Sequence, residues 1–254
     1  MITGKTARKQ VNIMGINVDS TTRSQVLTNI GNYLSHNKKF YLVTPNPEII
    51  LQAQTNHKLA SSIGNADFSI PDGIGLKIFG NSELNIIHGR HLMLDLFELA
   101  NKRRLKVFFI TSNVKKTNEK LLKKYHQEYS DSYAQAMVGP ALNTNAEPAT
   151  HFEAKVEKDL VEKITKFKPS MVFVCFGAPK QEIWMNKWLP KLNTLGMVGI
   201  GGALDYYAGT QELPPVWMEK LQLEWAWRLI TQPARAKRIF NAVIVFPLKR
   251  FFDA

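Results

Sequence analysis

The sequence predicts an α/β fold: a mainly parallel sheet covered by helices on both faces, followed by a C-terminal helical appendage. Three observations predict it. Short apolar runs alternate with amphipathic ones from Asn12 to Ile200, four of the apolar runs end in glycines or small polar residues, and the composition changes after Leu213-Pro214-Pro215. Strands that alternate with helices are joined by crossovers, which make neighbouring strands parallel and put helices on both faces.

The elements follow in order. A strand is expected near Asn12 to Val18, then an amphipathic helix from about Arg23 to Leu34 capped within Ser20 to Thr22, then a strand Phe40 to Thr44. The rhythm continues with helix Glu48 to Gln54, strand Phe68 to Ile70, helix His91 to Lys102, strand Lys106 to Ile110, helix Val114 to Tyr129 and strand Ala134 to Val138. A loop rich in Asn, Thr, Ala and Pro, Gly139 to Thr150, precedes helix Phe152 to Phe167, strand Met171 to Phe176, helix Lys180 to Leu192 and strand Gly196 to Ile200. The sum is a Rossmann-like sheet in an α/β domain over residues 1–213. No repeat or low-complexity tract interrupts it.

Residues 214–254 form the appendage. From Trp217 onward it holds three of the five tryptophans, cations that include Arg228, Arg235, Lys237, Arg238, Lys249 and Arg250, and the phenylalanines Phe240, Phe246, Phe251 and Phe252. Two helices separated near Pro233 are the simplest expectation. Such a segment suits a helical hairpin packed on the core, or an element lying on a membrane, where Arg and Lys attract anionic headgroups and Trp and Phe enter the interface.

At 254 residues the chain can bury a full core, and its formal net charge of +12 calls for an anionic partner: nucleic acid, a membrane surface or phosphate-bearing substrates. Cys175 is the single cysteine, so no intramolecular disulfide can form and a cytosol-facing location is expected; its apolar neighbours mark it as a buried hydrophobe. No stretch reaches the roughly 18 to 20 uninterrupted apolar residues that a spanning helix needs. Met1 to Gln10 lacks the apolar centre of a signal peptide, and Gly4-Lys5-Thr6 mimics the end of a P-loop without its upstream glycine or strand.

The strand ends carry the chemistry. Thr44-Pro45-Asn46-Pro47-Glu48 and Pro71-Asp72-Gly73-Ile74-Gly75 each follow an apolar run, so Thr44, Asn46 and Asp72 should face one crevice beyond the carboxyl ends of the strands. Asp72, held between Pro and Gly, suits a positioned base or a ligand to hydroxyls, while Asn-Pro and Pro-Asp-Gly are also ordinary turn formers. The later ends are Gly177-Ala178-Pro179-Lys180-Gln181-Glu182 and Gly199-Ile200-Gly201-Gly202-Ala203-Leu204-Asp205-Tyr206-Tyr207-Ala208-Gly209.

Taken in order, and with Pro215-Val216-Trp217 and Leu223-Glu224-Trp225-Ala226-Trp227-Arg228-Leu229, these segments resemble the WecG/TagA/CpsF family of bacterial glycosyltransferases over nearly the whole chain. The resemblance implies inverting transfer of an N-acetylmannosamine-type sugar, ManNAc or ManNAcA, from UDP to a polyprenyl-diphosphate-linked GlcNAc in cell-surface polymer synthesis. The tail would be a membrane-targeting appendage that also lends arginines to the active site. Such transfer needs a base for the acceptor hydroxyl, cations for the leaving diphosphate and a clamp for uridine and sugar.

Asp72 matches the family's essential Asp and is the expected base; Thr44, Asn46 and Gln181 match positions implicated in substrate binding or activity, with Thr44 and Gln181 grouped with Asp72 as catalytic. Gly199, Gly201 and Gly202 would let phosphate or uridine approach the backbone, and Asp205 could accept hydrogen bonds from ribose or uracil; as bland alternatives, Gln181 could cap its helix and Asp205 close a turn. Arg90 suits the diphosphate or donor sugar, or is a surface arginine. Arg228, Arg235 and Arg238 match the family's tail arginines and would fold over the diphosphate. The chain has no Asp-x-Asp, and His88 and His91, without nearby carboxylate or cysteine, suit structure better than metal, so no cofactor and no metal are expected. Thr111-Ser112-Asn113 departs from the family's glycines at the end of its strand.

The expected partners are thus a UDP-sugar, a polyprenyl-diphosphate acceptor and an anionic membrane surface on the cytoplasmic side, with a homo-oligomer as an option if the tail exposes apolar surface. A basic nucleic-acid-binding protein is the competitor from another class, but four polar clusters at strand ends serve no purpose in an electrostatic binder. A regulator without an acceptor site is disfavoured by Asp72, Thr44 and Gln181. A related transferase with another UDP-sugar stays open.

Overall fold

The structure, a computed structural model, describes residues 8–112 and 115–252. Gly4-Lys5-Thr6, Asn113, Val114 and all of Met1 to Gln10 before Arg8 lie outside the described residues. The first expected strand is in fact a hairpin, β1 (Gln10–Ile13) and β2 (Ile16–Asp19), with Gln10 opposite Asp19. Met14 and Gly15 turn it with φ of 49° and 79°, the positive pair that a two-residue hairpin turn requires. Asp19 then ties the hairpin down: it is buried and accepts from Arg8 Nη1 at 2.6 Å, Gln10 Nε2 at 2.8 Å and the Ser69 amide at 2.9 Å.

Helix α1 (Arg23–Ser35) starts in a reciprocal cap, Thr22 accepting from the Gln25 amide while Gln25 accepts from that of Thr22. The main sheet has six strands: β3 (Phe40–Val43), β4 (Phe68–Ser69), β5 (Lys106–Thr111), β6 (Tyr133–Val138), β7 (Met171–Val174) and β8 (Gly196–Gly199). All pairings are parallel, in the order β4-β3-β8-β7-β5-β6. Helices α2 (Pro47–Ala53), α3 (His57–Asn65), α4 (Gly89–Lys102), α5 (Lys115–Glu128), α6 (His151–Phe167) and α7 (Lys180–Trp188) make the crossovers.

Strand periodicity builds two cores, one on each face. Tyr41, Val43, Phe108, Ile110, Val172 and Val174 point into one, and their neighbours Phe40, Leu42, Val107, Phe109, Met171 and Phe173 into the other. Because both faces are covered, the strands read as continuous apolar runs rather than alternating ones.

Some expectations shift. Helix α3 was not foreseen; it begins where Asn56 accepts from the Leu59 amide at 3.0 Å. A π-helical turn at Leu76–Gly80 and a short helix α8 (Ala203–Tyr207) were also unforeseen, and α7 ends at Trp188, just ahead of Pro190.

The appendage breaks near Pro233 as expected but has more pieces than two: α9 (Val216–Lys220), α10 (Glu224–Thr231), a 3₁₀ turn at Pro233–Arg235, α11 (Ala236–Phe240), a π turn at Asn241–Val245 and α12 (Phe246–Phe252). Gln222, at φ 59°, separates α9 from α10. Phe246 does not face outward with the other tail aromatics; it is wholly buried in the core cluster that holds Ile13, Leu84 and Ile50. The Trp227 ring N–H turns back to donate to the Glu212 carbonyl at 3.1 Å. No helix among the described residues is long and apolar enough to cross a membrane.

Candidate active site

The strands that end in polar clusters are β4, β3, β8 and β7, and the sheet order sets these four side by side. Residues more than a hundred positions apart in the chain therefore share one crevice. Thr44, buried just past β3, donates from Oγ1 to the Gly199 carbonyl at the end of β8, at 3.4 Å. Asn46 spends its side-chain oxygen on the first turn of α2, accepting from the Ile49 amide at 2.9 Å. The Asp72 amide donates to the Pro45 carbonyl at 2.8 Å, which locks the Pro-Asp-Gly turn against the strand beside it.

The Asp72 carboxylate faces the start of α4. Its Oδ2 accepts from the Gly89 amide at 3.4 Å, and its Oδ1 lies 3.4 Å from His88 Nδ1. A side chain at Gly89 would bring a Cβ to 3.4 Å from both Asp72 Oδ2 and Thr44 Cγ2, so glycine leaves that wall open. His88 is the site residue that sequence reasoning set aside. Its imidazole is pushed above the ordinary histidine value, chiefly by the hydrogen bond to Asp72, against an opposing burial effect. His91 is shifted the other way, by burial and then by Arg90.

Two chambers meet at Asp72. The inner one, about 120 Å³, is polar: Thr44, Asn46, Asp72, Arg90, Gln181, Gly201 and Gly202 line it, together with Arg228, Arg235 and Arg238. The outer one, about 300 Å³, has an apolar wall of Ile74, Ile78, Phe79, Trp225, Ile239 and Val243. Asn46, Glu48, Asp72, His88, Glu224 and the same three arginines are among its polar lining, His88 on the outer side only.

The tail arginines arrive in different states. Arg238 Nε donates to Glu48 Oε1 at 2.5 Å, and Arg228 lies 3.7 Å from Glu224 Oε2 with its guanidinium 5.8 Å above the Tyr206 ring. The Arg235 guanidinium makes neither hydrogen bond nor ion pair among the described residues, although the residue is about half buried. Burial, then Arg238 and Arg228, hold its guanidinium below the ordinary arginine value. Glu48 and Asp205 act on it or are acted on by it only through the electrostatic field, so its donors stay unpaired toward the chamber.

Other expected residues are placed differently. Arg90 is neither free in the chamber nor a surface arginine: its Nη2 donates to Glu219 Oε1 at 2.6 Å and lies 3.5 Å from Glu224 Oε1, so it clamps the appendage to α4. Gly199 does not line either chamber; a Cβ there would come within 2.8 Å of Met185 Cε and 3.1 Å of Gln181 Nε2, so its missing side chain makes room for these neighbours. Asp205 stands behind Gly202 rather than in the chamber, and burial raises its carboxyl above the ordinary value while Arg235 opposes the shift. Gln181 is buried; its Oε1 accepts from the Gly177 and Gly201 amides and its Nε2 donates to Glu182. Thr111 donates to Asn118 Oδ1 at 2.7 Å, outside both chambers. Cys175 is buried, and burial pushes its thiol up to about 12, which leaves it inert as a nucleophile. No group of three or more His, Cys, Asp or Glu side chains arranged to hold a metal occurs among the described residues.

Known proteins resemble this chain over nearly its whole length. A sequence profile described as the glycosyl transferase WecG/TagA/CpsF family matches residues 11–253. A Bacillus spizizenii protein named N-acetylglucosaminyldiphosphoundecaprenol N-acetyl-beta-D-mannosaminyltransferase is 30% identical over 235 residues, covering 88% of this chain and 84% of that protein. A Staphylococcus aureus protein of the same name is 27% identical over 248 residues, 94% of this chain and 91% of its own.

Proposed function

The chain belongs to the WecG/TagA/CpsF family of glycosyltransferases, and from that premise we propose that it moves an N-acetylmannosamine-type sugar, ManNAc or ManNAcA, from UDP to a GlcNAc-diphosphate-polyprenyl lipid, with inversion and without a metal. The observation that carries this reading is the meeting of a polar and an apolar chamber at Asp72 and three arginines, where the other shared carboxylate, Glu48, is already hydrogen-bonded to Arg238. The polar chamber suits the UDP-sugar. The apolar one suits the lipid-linked acceptor, whose sugar would reach inward to Asp72.

In this mechanism the acceptor hydroxyl oxygen attacks the sugar's C1 from the face opposite the diphosphate. Its proton passes to the Asp72 carboxylate, the bond from C1 to the diphosphate oxygen breaks, and UDP leaves with the electron pair. One displacement on an α-linked donor gives a β product. Arg235, with Arg228 and Arg238, would neutralise the charge that develops on the leaving diphosphate, the task a divalent cation performs in enzymes with a carboxylate cage. Thr44 and Asn46 sit where they can orient sugar hydroxyls or the acetamido group.

The appendage supports peripheral association with the inner face of the cell membrane. Trp217, Phe251 and Phe252 are 59%, 78% and 79% exposed, and Ile230 and Leu248 are exposed with them, among the tail's cations.

The test is Asp72→Asn assayed for transfer and for binding of UDP by calorimetry. Transfer should fall by roughly a hundredfold or more, the scale of a lost general base, while UDP binding persists. Full activity in the variant would remove Asp72 from the base role. Tight binding of oligonucleotide in place of UDP by the unmodified protein would favour an electrostatic nucleic-acid binder. A panel of UDP-sugars in the same assay would identify the donor.

A further inference from the structure

Glu182 is a carboxylic acid sealed inside the protein. It lies in the first turn of α7 and is 0% exposed; among the described residues its side chain has one hydrogen-bond partner, Oε1 accepting from Gln181 Nε2 at 2.9 Å, whereas Oε2 has none. The Gln181 carbonyl oxygen in turn accepts from two backbone amides, Gly177 at 3.2 Å and Gly201 at 3.1 Å. Those glycines belong to the loops after β7 and β8, and both have left-handed backbone, φ 74° and 50°. Both loops wall the inner chamber.

A glutamine amide between two N–H donors and a carboxyl has one satisfactory orientation. Turned end for end, it would set its NH2 against two amide N–H groups and its carbonyl against the Glu182 oxygen. The two amide N–H groups reject the flipped form, and Glu182 Oε1 supplies the acceptor that the correct form needs.

We propose that Glu182 is a positioning residue for the donor: it fixes the Gln181 amide, and through it the two glycine loops that shape the chamber, and it serves best when it carries a proton. The inference rests on the assignment of the inner chamber to the UDP-sugar.

The charge state follows from the surroundings. Burial pushes the Glu182 carboxyl up to about 7, with Gln181 and Arg238 of α11 favouring the ionised form and Glu48 of α2 opposing it. Tyr41 of β3 also feels this carboxyl; its phenol is pushed up by burial first, then by Asp67 and Glu182, and it stays un-ionised. A proton on the unpaired Oε2 leaves Oε1 free to accept from Gln181. Arg238 lines the chamber, so a bound diphosphate would draw on the same cation that stabilises ionised Glu182, and would add like charge near it. Donor binding therefore favours neutral Glu182 and weakens as pH rises through about 7.

The experiment measures binding of UDP-N-acetylmannosamine by calorimetry, at about pH 6 and about pH 8.5, where its two phosphates hold fixed charge. The unmodified protein should lose affinity several-fold at the higher pH. Glu182→Gln, an isostere of the neutral acid, should keep most of its affinity at the higher pH, with His88 as the remaining titrating group beside Asp72. Glu182→Leu, which leaves Gln181 Nε2 unpaired, should bind roughly tenfold more weakly at both, with the donor KM raised more than kcat is lowered. The proposal is overturned if Glu182→Gln keeps the pH dependence of the unmodified protein, or if folded Glu182→Leu binds the donor as well as the unmodified protein does. Should Glu182→Leu fail to fold, the Glu182→Gln comparison alone decides. Failure of the unmodified protein to bind any UDP-sugar would instead sink the assignment of the chamber.

Discussion

Asp72 and His88 form a pair that can be read by titration. Because the Asp72 hydrogen bond raises the His88 value above about 6.5, the protonated imidazole is favoured in the folded state. Its contribution to stability is fully present below about pH 6.5 and is lost as pH rises through the folded value. Proton NMR should show the His88 ring titrating above 6.5, and Asp72→Asn should return it toward or below the ordinary value; no change would mean that the two side chains do not interact in solution. Arg235 gives a second residue-scale prediction. Its guanidinium makes no described hydrogen bond or ion pair and is crowded by Arg228 and Arg238, so Arg235→Ala should leave the thermal midpoint unchanged or raise it. The same change should lower transfer by roughly a hundredfold, the usual cost of removing one preorganised charge donor. A variant that loses stability and activity together would show that Arg235 is structural.

Among the elements, the appendage is held by two different devices. Phe246, at the start of α12, is buried in the core cluster, and Phe246→Ala should cost about 3–5 kcal/mol in denaturant unfolding, as for other fully buried aromatics. The second device is ionic: Arg90 of α4 joins Glu219 of α9 and Glu224 of α10, and Glu224 also meets Arg228. Replacing Glu219 by Gln should speed hydrogen exchange over residues 216–231 while global stability changes little, since one part-exposed ion pair is worth about 1 kcal/mol or less. Equal protection in the variant would show that the clamp does not hold α9 and α10. The buried Phe246 also bears on truncation. Cutting after Pro215 removes this side chain from the core as well as the three arginines, so the shortened protein loses stability together with activity, and point variants separate the roles where a deletion cannot.

For the whole molecule, the net charge of +12 and the exposed tail aromatics act together. Sedimentation with anionic liposomes should be strong at low salt and weaken as salt screens the cations, with a residual part due to Trp217, Phe251 and Phe252. Replacing these aromatics with Ser should remove the residual part and leave transfer to a soluble short-chain acceptor intact. Transfer should also survive excess EDTA, because three arginines converge where a metal would stand in other enzymes. Loss in EDTA with recovery on added magnesium or manganese would overturn the metal-independent reading.

The sequence alone determined the α/β class, the strand ends that hold Thr44, Asn46, Asp72 and Gln181, and the family, because these depend on local periodicity, turn chemistry and an ordered set of motifs. It underread the hairpin at Met14-Gly15, which lacks an Asn-Gly signal, and α3, which begins after a break at Thr55-Asn56. Tertiary structure decided the rest. Only the sheet order β4-β3-β8-β7 could bring the four polar ends together, and only packing could bury Phe246 away from the other tail aromatics. Arg90 finding Glu219 and His88 finding Asp72 are likewise contacts across elements, and the Arg235 guanidinium is left without a described partner by the same packing. Local sequence carries no record of such contacts. They are fixed by which faces meet when both sides of the sheet are covered, and by which charges remain unpaired once they do.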